Sequence, residues 1–300
     1  GLRVVNVSQA SNPIEVGDCA TPTWAQRIDV VEPYAYVVAG GSLVIVDISN
    51  QVAPWTRGIF YTDDFVFSDV AVSASHAYVV GEWTGMRVVN VADPDHPGAV
   101  GEGPGGVGVC TVGHYAYVAK VDGLGVIDID VPANPEQVGE HVLSTWAAKA
   151  VEVRDGYAYV AAGYRYDDPQ DATGGTHLRI VDVTEATNPN VVGGYDGVGG
   201  LSASDIDVYG TRAYVAYGGT RYVGCDIIDV SSKANPIELG AYGATLPGPD
   251  YYPRVRAQGN WLYITDRMGF RVLDVTEPNA PVQVDTYQPA DWVSDLYILG

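Results

Sequence analysis

Charged side chains recur at one place in a repeated pattern, directly before the first apolar residue of a predicted strand. Around the chain this place is occupied by Arg27, Asp69, Gly108, Ala150, Asp205, Arg254 and Asp295. Carboxylates and guanidinium groups that meet in a pocket can bind a small ligand or serve acid–base catalysis. Each of the three aspartates follows a serine, which favours a repeated structural role in which the carboxylate hydrogen-bonds a neighbouring unit's backbone. Arg27 and Arg254 depart from this repeat, as does Lys149, which lies one residue before Ala150. These three residues are the better ligand candidates.

Aromatic and charged residues also collect in the longest loops. The loop 163–177, GYRYDDPQDATGGTH, contributes Tyr164, Arg165 and Tyr166. Other loops complete the candidate ligand-binding set with Arg221, Tyr222, Tyr251, Tyr252, Trp83 and Trp292. Further loop residues of these types are Trp24, Asp63, Asp64, Phe65, Trp146 and Arg267. Rigid amphipathic rings beside Arg and Asp suit recognition of a glycan or a polypeptide, because they give contact area at low entropic cost. The alternative for each ring is that it caps the hydrophobic end of the strands.

Metal-binding and catalytic patterns are sparse. Asp167, Asp168 and Asp171 share one loop and could offer Ca²⁺ its preferred oxygen ligands, although an acidic, solvated loop is the commoner explanation. No EF-hand, GxSxG or HExxH motif accompanies them. Of the histidines, only His141 and His177 can approach these loops. We therefore predict no cofactor, with Ca²⁺ as the alternative.

A sevenfold repeat positions these residues. An Asp or Asn in an apolar run is followed seven residues later by proline at Asn6/Pro13, Asp47/Pro54, Asn90/Pro97, Asp128/Pro135, Asp182/Pro189, Asp229/Pro236 and Asp274/Pro281. Each period of 38 to 54 residues divides into four short runs of alternating apolar and small residues, as in the second unit at 68–73, 76–81, 86–91 and 98–103. Such alternation, interrupted by Gly, Pro, Asn and Asp, indicates strands and turns. The Asp or Asn can hydrogen-bond the turn that follows, and the proline fixes φ where the fourth strand begins.

Four-stranded units with two apolar faces, repeated six or seven times, predict an all-β fold, the β-propeller. The strings LVIVD (43–47), RVVNV (87–91) and RIVDV (179–183) resemble those of the LVIVD-repeat family. The resemblance extends over essentially the whole chain. It implies a propeller in an exported or cell-surface protein, mostly of bacteria and archaea, and it carries no common catalytic motif.

The repeat predicts a single domain, 1–300, with seven four-stranded antiparallel blades. Six complete blades are expected at 25–61, 66–103, 106–142, 147–196, 203–243 and 252–288. A seventh is expected to be split between the ends of the chain, with 290–300 as its first strand and 1–17 as its third and fourth, so that the ring closes without an exposed edge. Its second strand is missing from the pattern. Either the LYILG segment (296–300) takes that place or, as we favour, the sequence is a trimmed fragment.

Loop lengths divide the predicted propeller into two faces. Eight residues separate the first apolar residue of strand one from the tyrosine of strand two in all six complete blades, and seven separate the Asp or Asn from the proline. The connections 1–2 and 3–4 therefore form what we call the uniform face. The connections 2–3 and 4–1 vary in length and form the variable face, where binding and catalysis are usually found.

Charge and cysteine content limit the kinds of partner. A net charge of −21, with only 16 basic residues, repels phosphate backbones and anionic membranes, so we predict no nucleic-acid partner. No apolar run is long enough to insert into a membrane. Cys19, Cys110 and Cys225 are too few and too scattered for a disulfide framework or a zinc site.

The predicted function is non-catalytic binding of a protein, a glycan or a surface polymer through the variable face. The protein is expected in the extracellular space or at the cell surface, as a module of a larger surface protein or assembly. The alternative is a polysaccharide lyase or hydrolase. Since strand one lines the central channel of a propeller, its active site would lie at the channel mouth, with Arg27, Lys149 and Arg254.

Overall fold

The chain folds as an all-β propeller. A computed structural model describes residues 1–143, 147–163, 175–197, 201–219, 221–246 and 251–299. Within these ranges every helix or strand is a β-strand, and the strands pair in antiparallel fashion to form six four-stranded sheets and one two-stranded sheet. We number the four-stranded sheets as blades one to six in chain order.

The strands of each sheet follow one another directly in the sequence. The two-stranded sheet contains β1 (Leu2–Asn6) and β2 (Ile14–Cys19). Blade one contains β3 (Ala25–Val31), β4 (Tyr34–Ala39), β5 (Ser42–Asp47) and β6 (Trp55–Tyr61). Blade two contains β7 (Asp69–Ser73), β8 (His76–Gly81), β9 (Gly85–Asn90) and β10 (Gly98–Gly103). Blade three contains β11 (Gly108–Val112), β12 (Tyr115–Lys120), β13 (Gly123–Asp128) and β14 (Glu136–Val142).

The other three blades follow the same order. Blade four contains β15 (Ala147–Arg154), β16 (Tyr157–Gly163), β17 (Gly175–Asp182) and β18 (Asn190–Gly197). Blade five contains β19 (Ser202–Tyr209), β20 (Arg212–Gly219), β21 (Tyr222–Asp229) and β22 (Ile237–Thr245). Blade six contains β23 (Val255–Gln258), β24 (Trp261–Asp266), β25 (Gly269–Asp274) and β26 (Val282–Tyr287). First strands of consecutive blades contact one another from β3 to β23, so they line the central channel.

The hydrophobic core lies between neighbouring blades, and the alternation of each strand explains why. In β4, Tyr36 and Val38 pack against Val70 and Val79 of blade two. The intervening Ala35, Val37 and Ala39 face the other way, toward Leu2 of β1. Because side chains alternate between the two sides of a strand, an apolar residue at every position gives a sheet that buries both faces.

The repeated Asp or Asn makes the predicted turn in every copy. Its side-chain oxygen accepts a hydrogen bond from the amide two residues later in Asn6–Ser8, Asp47–Ser49, Asn90–Ala92, Asp128–Asp130, Asp182–Thr184, Asp229–Ser231 and Asp274–Thr276. These distances all lie between 2.8 and 3.0 Å. Because this bond needs only residues two apart, the sequence spacing was sufficient to predict it.

Backbone hydrogen bonds confirm the division into two faces. At the uniform face the residue after the third strand donates to the 1–2 turn in all six blades, at Ile48–Pro33, Val91–Ser75, Ile129–His114, Val183–Gly156, Val230–Thr211 and Val275–Asn260. At the opposite end of the blades, amides of the 4–1 connections donate hydrogen bonds to carbonyls of the 2–3 turns. Thr62 donates to Gly41, and Leu246 donates to Arg221. The variable connections therefore lie together at one end.

The β1–β2 sheet packs beside blade six like a neighbouring blade. The hydroxyl of Tyr195 in blade four donates to Glu238 of blade five, and Tyr242 of blade five donates to Gln283 of blade six, both at 2.6 Å. Tyr287, at the same place in blade six, donates to Glu15 of β2. On the other side, Gly17 of β2 packs against Gln51 and Pro54 in the 3–4 turn of blade one.

The prediction of seven four-stranded blades is fulfilled for six sheets only. The seventh sheet has two strands, and residues 290–299 form no strand. The LYILG segment therefore does not replace the missing second strand: Leu296, Ile298 and Leu299 pack against the neighbouring sheets, but they do not pair with β1. A strand needs a hydrogen-bonding neighbour, and among the described residues neither β1 nor this segment has one on the facing side.

Candidate functional site

The aspartates at the start of the first strands bind the backbone of the next blade, as expected. Asp69 accepts from the amide of Val109 at 2.9 Å, and Asp205 accepts from that of Val255 at 2.9 Å. Asp295 accepts in the same way from Ile28, at 3.2 Å. The serine-aspartate pairs therefore connect neighbouring units by hydrogen bonds. Their carboxylates are only partly available to a ligand.

The arginines of the same ring are bound by these aspartates. Nε of Arg27 lies 4.0 Å from Oδ1 of Asp69, and the two side chains keep 20% and 22% of their surface exposed to the channel. Arg254 is buried; its Nη1 donates to the carbonyl of Ser204 at 2.6 Å and lies 3.6 Å from Asp205. The contacts join Arg27 to Asp69 and Arg254 to Asp205, while convergence of the whole set at the channel mouth and ligand binding there stay predictions.

A second ring of charged residues lies two residues further along the first strands, and the sequence analysis missed it. It contains Asp29, Glu152, Asp207 and Arg256. Asp29 accepts from Val72 at 2.7 Å, and Asp207 accepts from Ala257 at 2.6 Å. The period of two along a strand could have revealed it, because residues two apart point to the same side of a sheet.

Arg256 is the central cation of this second ring. Its Nη1 donates to Oδ2 of Asp205 at 2.7 Å, and its Nη2 lies 3.7 Å from Oδ1 of Asp295. Burial opposes the charge of Arg256, yet the carboxylates of Asp205, Asp295, Asp207 and Glu152 raise its pKa above the ordinary value. Arg256 therefore remains a cation, and it links a carboxylate of blade five to one in the C-terminal segment.

Burial makes the channel carboxylates weaker acids. It raises the pKa of Asp69 to about 7, against the opposing effect of Arg27, and that of Glu152 to about 7. Burial also raises the pKa of Asp29 and of Asp205. Desolvation disfavours the charged form of a carboxyl group, so Asp69 and Glu152 lose their protons near neutral pH rather than near pH 4.

Two exposed tryptophans form a platform at the variable face. Trp24 precedes β3, and Trp292 lies in the segment after β26; their ring centroids are 6.1 Å apart, at an interplanar angle of 53°. They are 81% and 65% exposed. The guanidinium of Arg267, in the β24–β25 turn, lies 5.2 Å from the Trp292 ring centroid. We call Trp24, Trp292 and Arg267 the tryptophan platform.

Other predicted loop residues divide into exposed and structural ones. Trp83, in the β8–β9 turn, is 86% exposed, and Arg221 is exposed as well. Phe65 instead packs against the core of blade two, which agrees with a capping role. Among the remaining candidates, Tyr252 is 41% exposed and Lys149 is half-buried in β15.

Two predicted tyrosines are held within the fold. Oη of Tyr251 lies 2.7 Å from the carbonyl oxygen of Val293 and 2.8 Å from Oγ1 of Thr265. Tyr222 stacks on Tyr217 at 6.2 Å. Several further calls fall outside the described residues, so the structure does not place Tyr164, Arg165, Tyr166, Asp167, Asp168, Asp171 or Trp146.

His177 lies in β17 and is fully buried. Its Nδ1 lies 2.6 Å from Oδ2 of Asp226, in blade five. Its ring stacks on Tyr217 with a centroid distance of 4.8 Å. Both partners come from the neighbouring blade, which local sequence patterns cannot reveal. Cys225, in β21, is buried as well.

Repeats typical of one family cover most of the sequence. LVIVD repeats match residues 1–21, 24–62, 67–102, 107–141, 200–244 and 253–288. The chain belongs to the LVIVD-repeat family. No curated protein matches the sequence of this LVIVD-repeat protein.

Solved structures share the fold of this LVIVD-repeat protein at low sequence identity. A putative 6-phosphogluconolactonase from Bacteroides uniformis ATCC 8492 superimposes with a TM-score of 0.74 at 11% identity, over 95% of this chain and 93% of that one. A functionally unknown protein from Desulfotomaculum acetoxidans DSM 771 gives 0.69 at 11% identity, over 90% and 88%. BamB from Moraxella catarrhalis gives 0.58 at 11% identity, over 95% and 81%. At this identity the likeness extends to the fold alone.

In the described part of the chain, no three His, Cys, Asp or Glu side chains are grouped so that they could hold a metal ion. The same residues include no helix that could span a membrane. All three cysteines are free thiols.

Proposed function

We propose that this protein is a non-catalytic binding module, built as a seven-bladed ring, that captures a polypeptide or a neutral glycan on the tryptophan platform outside the cell. The observation that carries the proposal is the Trp24–Trp292 pair, two neighbouring indoles that are 81% and 65% exposed. Large apolar side chains that lie together in water mark a site of interaction more often than isolated ones do.

Burial of the platform can supply much of the binding energy. An aromatic side chain buries about 200 Å² in an interface, which releases on the order of 5 kcal/mol before the costs of association. The two rings are tilted rather than coplanar, so they present a corner instead of a flat surface. Such a corner suits a pyranose ring or a side chain that inserts between the indoles.

Charge selects among possible partners. The net charge of −21 disfavours polyanions, while Arg267 offers one donor-rich group beside Trp292. A neutral polymer, or a polypeptide with basic residues, would meet no long-range repulsion. A partner of this kind at a cell surface agrees with the predicted role as a module of a larger surface protein or assembly.

The seven-bladed ring is supported by the contacts of both chain ends. The β1–β2 sheet contains the Asn6–Ser8 turn and a β-bulge, as the third and fourth strands of the complete blades do. It contacts blade six through Tyr287. The segment 290–299 binds Ile28 through Asp295, as a first strand would. In this arrangement the seventh blade is shared between the two ends of the chain.

The test is a screen of glycan and peptide arrays with matched variants. Trp24→Ala and Trp292→Ala should each weaken binding roughly thirtyfold, the loss typical of a central aromatic contact. The control is Trp55→Ala, because Trp55 is 52% exposed but lies in β6, outside the platform. Equal binding by all three variants would refute the platform.

The enzyme alternative is tested in the same screen by measuring product release. A lyase or hydrolase at the channel mouth would use Arg27, Lys149 or Arg254. If Arg27→Ala abolished turnover of a bound glycan while binding survived, the non-catalytic proposal would be wrong. Arg27 is the residue chosen for this test because Arg254 is buried and already bonded to Ser204 and Asp205.

A further inference from the structure

The last strand of blade one, β6, has a partner on only one side. In this sheet the strands follow the order β3, β4, β5 and β6, so among the described strands β6 pairs with β5 alone. Ile59 and Tyr61 are 44% and 62% exposed along it. The free side of an edge strand carries amide and carbonyl groups that can pair with a further strand. We call the free side of residues 58–61 the outer edge of β6.

The outward backbone groups of this edge belong to Ile59 and Tyr61. Directly after β6, the amide of Thr62 donates to the carbonyl of Gly41 at 3.1 Å, so it points toward its own blade. In an antiparallel pair, the hydrogen-bonding side of a strand alternates from one residue to the next. The groups of Phe60 therefore point toward β5, while those of Ile59 and Tyr61 point away from the sheet. Each of these two residues offers one donor and one acceptor to a further strand.

Negative charge protects the corresponding strands elsewhere in the molecule. Charged side chains on an edge strand disfavour pairing with another chain. The strand β6 has no acidic residue, and its only charged side chain, Arg57, donates two hydrogen bonds of 2.6 Å to Asp95 of blade two. The last strand of every other described sheet has at least one acidic residue: Glu15 and Asp18 in β2, Glu102 in β10, Glu136 and Glu140 in β14, Asp196 in β18, Glu238 in β22 and Asp285 in β26. The edge of β6 is therefore the least protected of the set.

Apolar side chains take the place of those charges on β6. Ile59 follows the glycine beside the β-bulge, where blades two and three have Glu102 and Glu140. Isoleucine and tyrosine favour strands because they pack well against cross-strand neighbours. The bulge at Arg57 interrupts the ladder, so Trp55, whose ring centroid lies 5.0 Å from Cζ of Arg57, is outside the outer edge.

Two acidic side chains follow the outer edge directly. Asp63 and Asp64 are exposed, and the hydroxyl of Tyr61 donates to Asp63. The nearest arginines along the chain, Arg57 and Arg87, are engaged by other carboxylates. This end of the edge therefore carries negative charge that attracts a basic group.

We propose that the outer edge of β6 binds an extended segment of a basic partner polypeptide, which adds to blade one as an additional strand. Strand addition draws affinity from main-chain hydrogen bonds and specificity from the side chains beside them. A second copy of this chain is disfavoured as the occupant, because it would bring a further net charge of −21 to an acidic surface. The site belongs to a complete blade and shares no residue with the tryptophan platform.

The acidic pair sets the direction of the bound strand. All strands of blade one pair in antiparallel fashion, and antiparallel pairing is the more stable arrangement. In that arrangement the first residues of the bound segment lie beside the end of β6, next to Asp63 and Asp64. The partner is therefore expected to carry lysine or arginine directly before an alternating run of β-branched and aromatic residues.

The probe is a labelled peptide, KKTVYVT, whose two lysines precede the strand-forming residues. It should bind the 300-residue chain saturably. Hydrogen exchange at the amides of Ile59 and Tyr61 should slow by roughly tenfold or more, because each gains an acceptor. The control peptide KKTPYPT lacks two amide donors and should bind roughly tenfold more weakly. The second control, EETVYVT, reverses the charge and should also bind more weakly, with a difference that shrinks as salt is added.

Matched variants test the outer edge in the protein. Ile59→Pro removes one outward donor and should weaken the peptide roughly tenfold; proline is compatible with an edge strand where its nitrogen faces solvent. Glu140→Pro makes the same change at the equivalent place in blade three and should leave binding unchanged. The joint variant Asp63→Asn and Asp64→Asn alters exposed side chains only and should bind KKTVYVT and EETVYVT with nearly equal affinity. Trp24→Ala should leave the peptide bound, so loss of the platform and loss of this edge are distinguishable.

Three outcomes would overturn the inference. The first is peptide binding that leaves exchange at Ile59 and Tyr61 unchanged. The second is equal binding of KKTVYVT and KKTPYPT. The third is slow exchange at both amides without peptide that depends on protein concentration, which would make a second copy of the chain the occupant.

Discussion

The carboxylate of Asp295 accepts a hydrogen bond of 3.2 Å from the backbone amide of Ile28, 267 residues earlier in the chain. Asp69 and Asp205 make the same bond to the blade that follows each of them. The contact between the two ends of the chain thus repeats a contact between consecutive blades. In the proposed seven-bladed ring, this bond joins the segment 290–299 to blade one.

Removal of this carboxylate should weaken the ring. Asp295→Ala leaves the Ile28 amide without its acceptor and takes one carboxylate from Arg256, so the free energy of unfolding should fall by about 1–3 kcal/mol. Asp295→Asn keeps an acceptor oxygen and should lose less. Urea denaturation followed by tryptophan fluorescence measures both.

The control for this experiment is Asp291→Ala, in the same segment. Asp291 is 81% exposed and pairs with Arg3 at the surface, and such pairs contribute at most about 1 kcal/mol. Equal stability of Asp295→Ala and Asp291→Ala would show that ring closure relies on apolar packing instead.

Glu152, a half-buried acid in the channel, should make the protein less stable as pH rises. The ordinary pKa of glutamic acid, 4.5, is raised to about 7 at Glu152, mainly by burial. Between these values the folded state holds a proton that the unfolded state has lost, so stability falls as pH rises through this window. Glu152→Gln should flatten the slope and stabilise the protein at pH 8 by about 1–2 kcal/mol.

Chemical denaturation at several pH values between 5 and 8 checks this prediction. Glu32→Gln is a suitable control, because Glu32 is exposed in the β3–β4 turn. A slope in Glu152→Gln equal to that of the unmodified chain would mean that Glu152 ionises freely in the folded state.

A glycine in the fourth strand keeps neighbouring blades close together. A Cβ at Gly139 would collide with the carbonyl oxygen of Ala186, in the 3–4 turn of the next blade. Gly139→Ala should therefore cost about 1–3 kcal/mol through overpacking. Gly98→Ala is the matched control, because no atom lies within 4 Å of its Cβ position. Thermal denaturation compares the two, and equal Tm values would contradict this account of the packing.

Features formed by residues close together in the sequence were predictable, whereas features that join distant residues were not. The turn after Asp47 needs only Ser49, and six further copies repeat it, so the uniform face was predictable. The tryptophan platform joins Trp24 to Trp292, and no spacing reveals such a pair before the ring is closed. The second channel ring could have been recognised from alternation along the first strands, because residues two apart point to the same side of a sheet.

The buried pair His177–Asp226 should be one of the most sensitive polar contacts between blades. Nδ1 of His177 and Oδ2 of Asp226 are 2.6 Å apart, and their side chains are 0% and 3% exposed. Removing one member of a buried pair leaves the other desolvated without its partner, so Asp226→Ala should cost about 3–5 kcal/mol. Asp196→Ala removes the partner of Arg179 from a carboxylate that is 69% exposed and should cost less than about 1 kcal/mol. Urea denaturation distinguishes them, and a mild effect of Asp226→Ala would show that stacking on Tyr217, rather than the carboxylate, holds His177 in place.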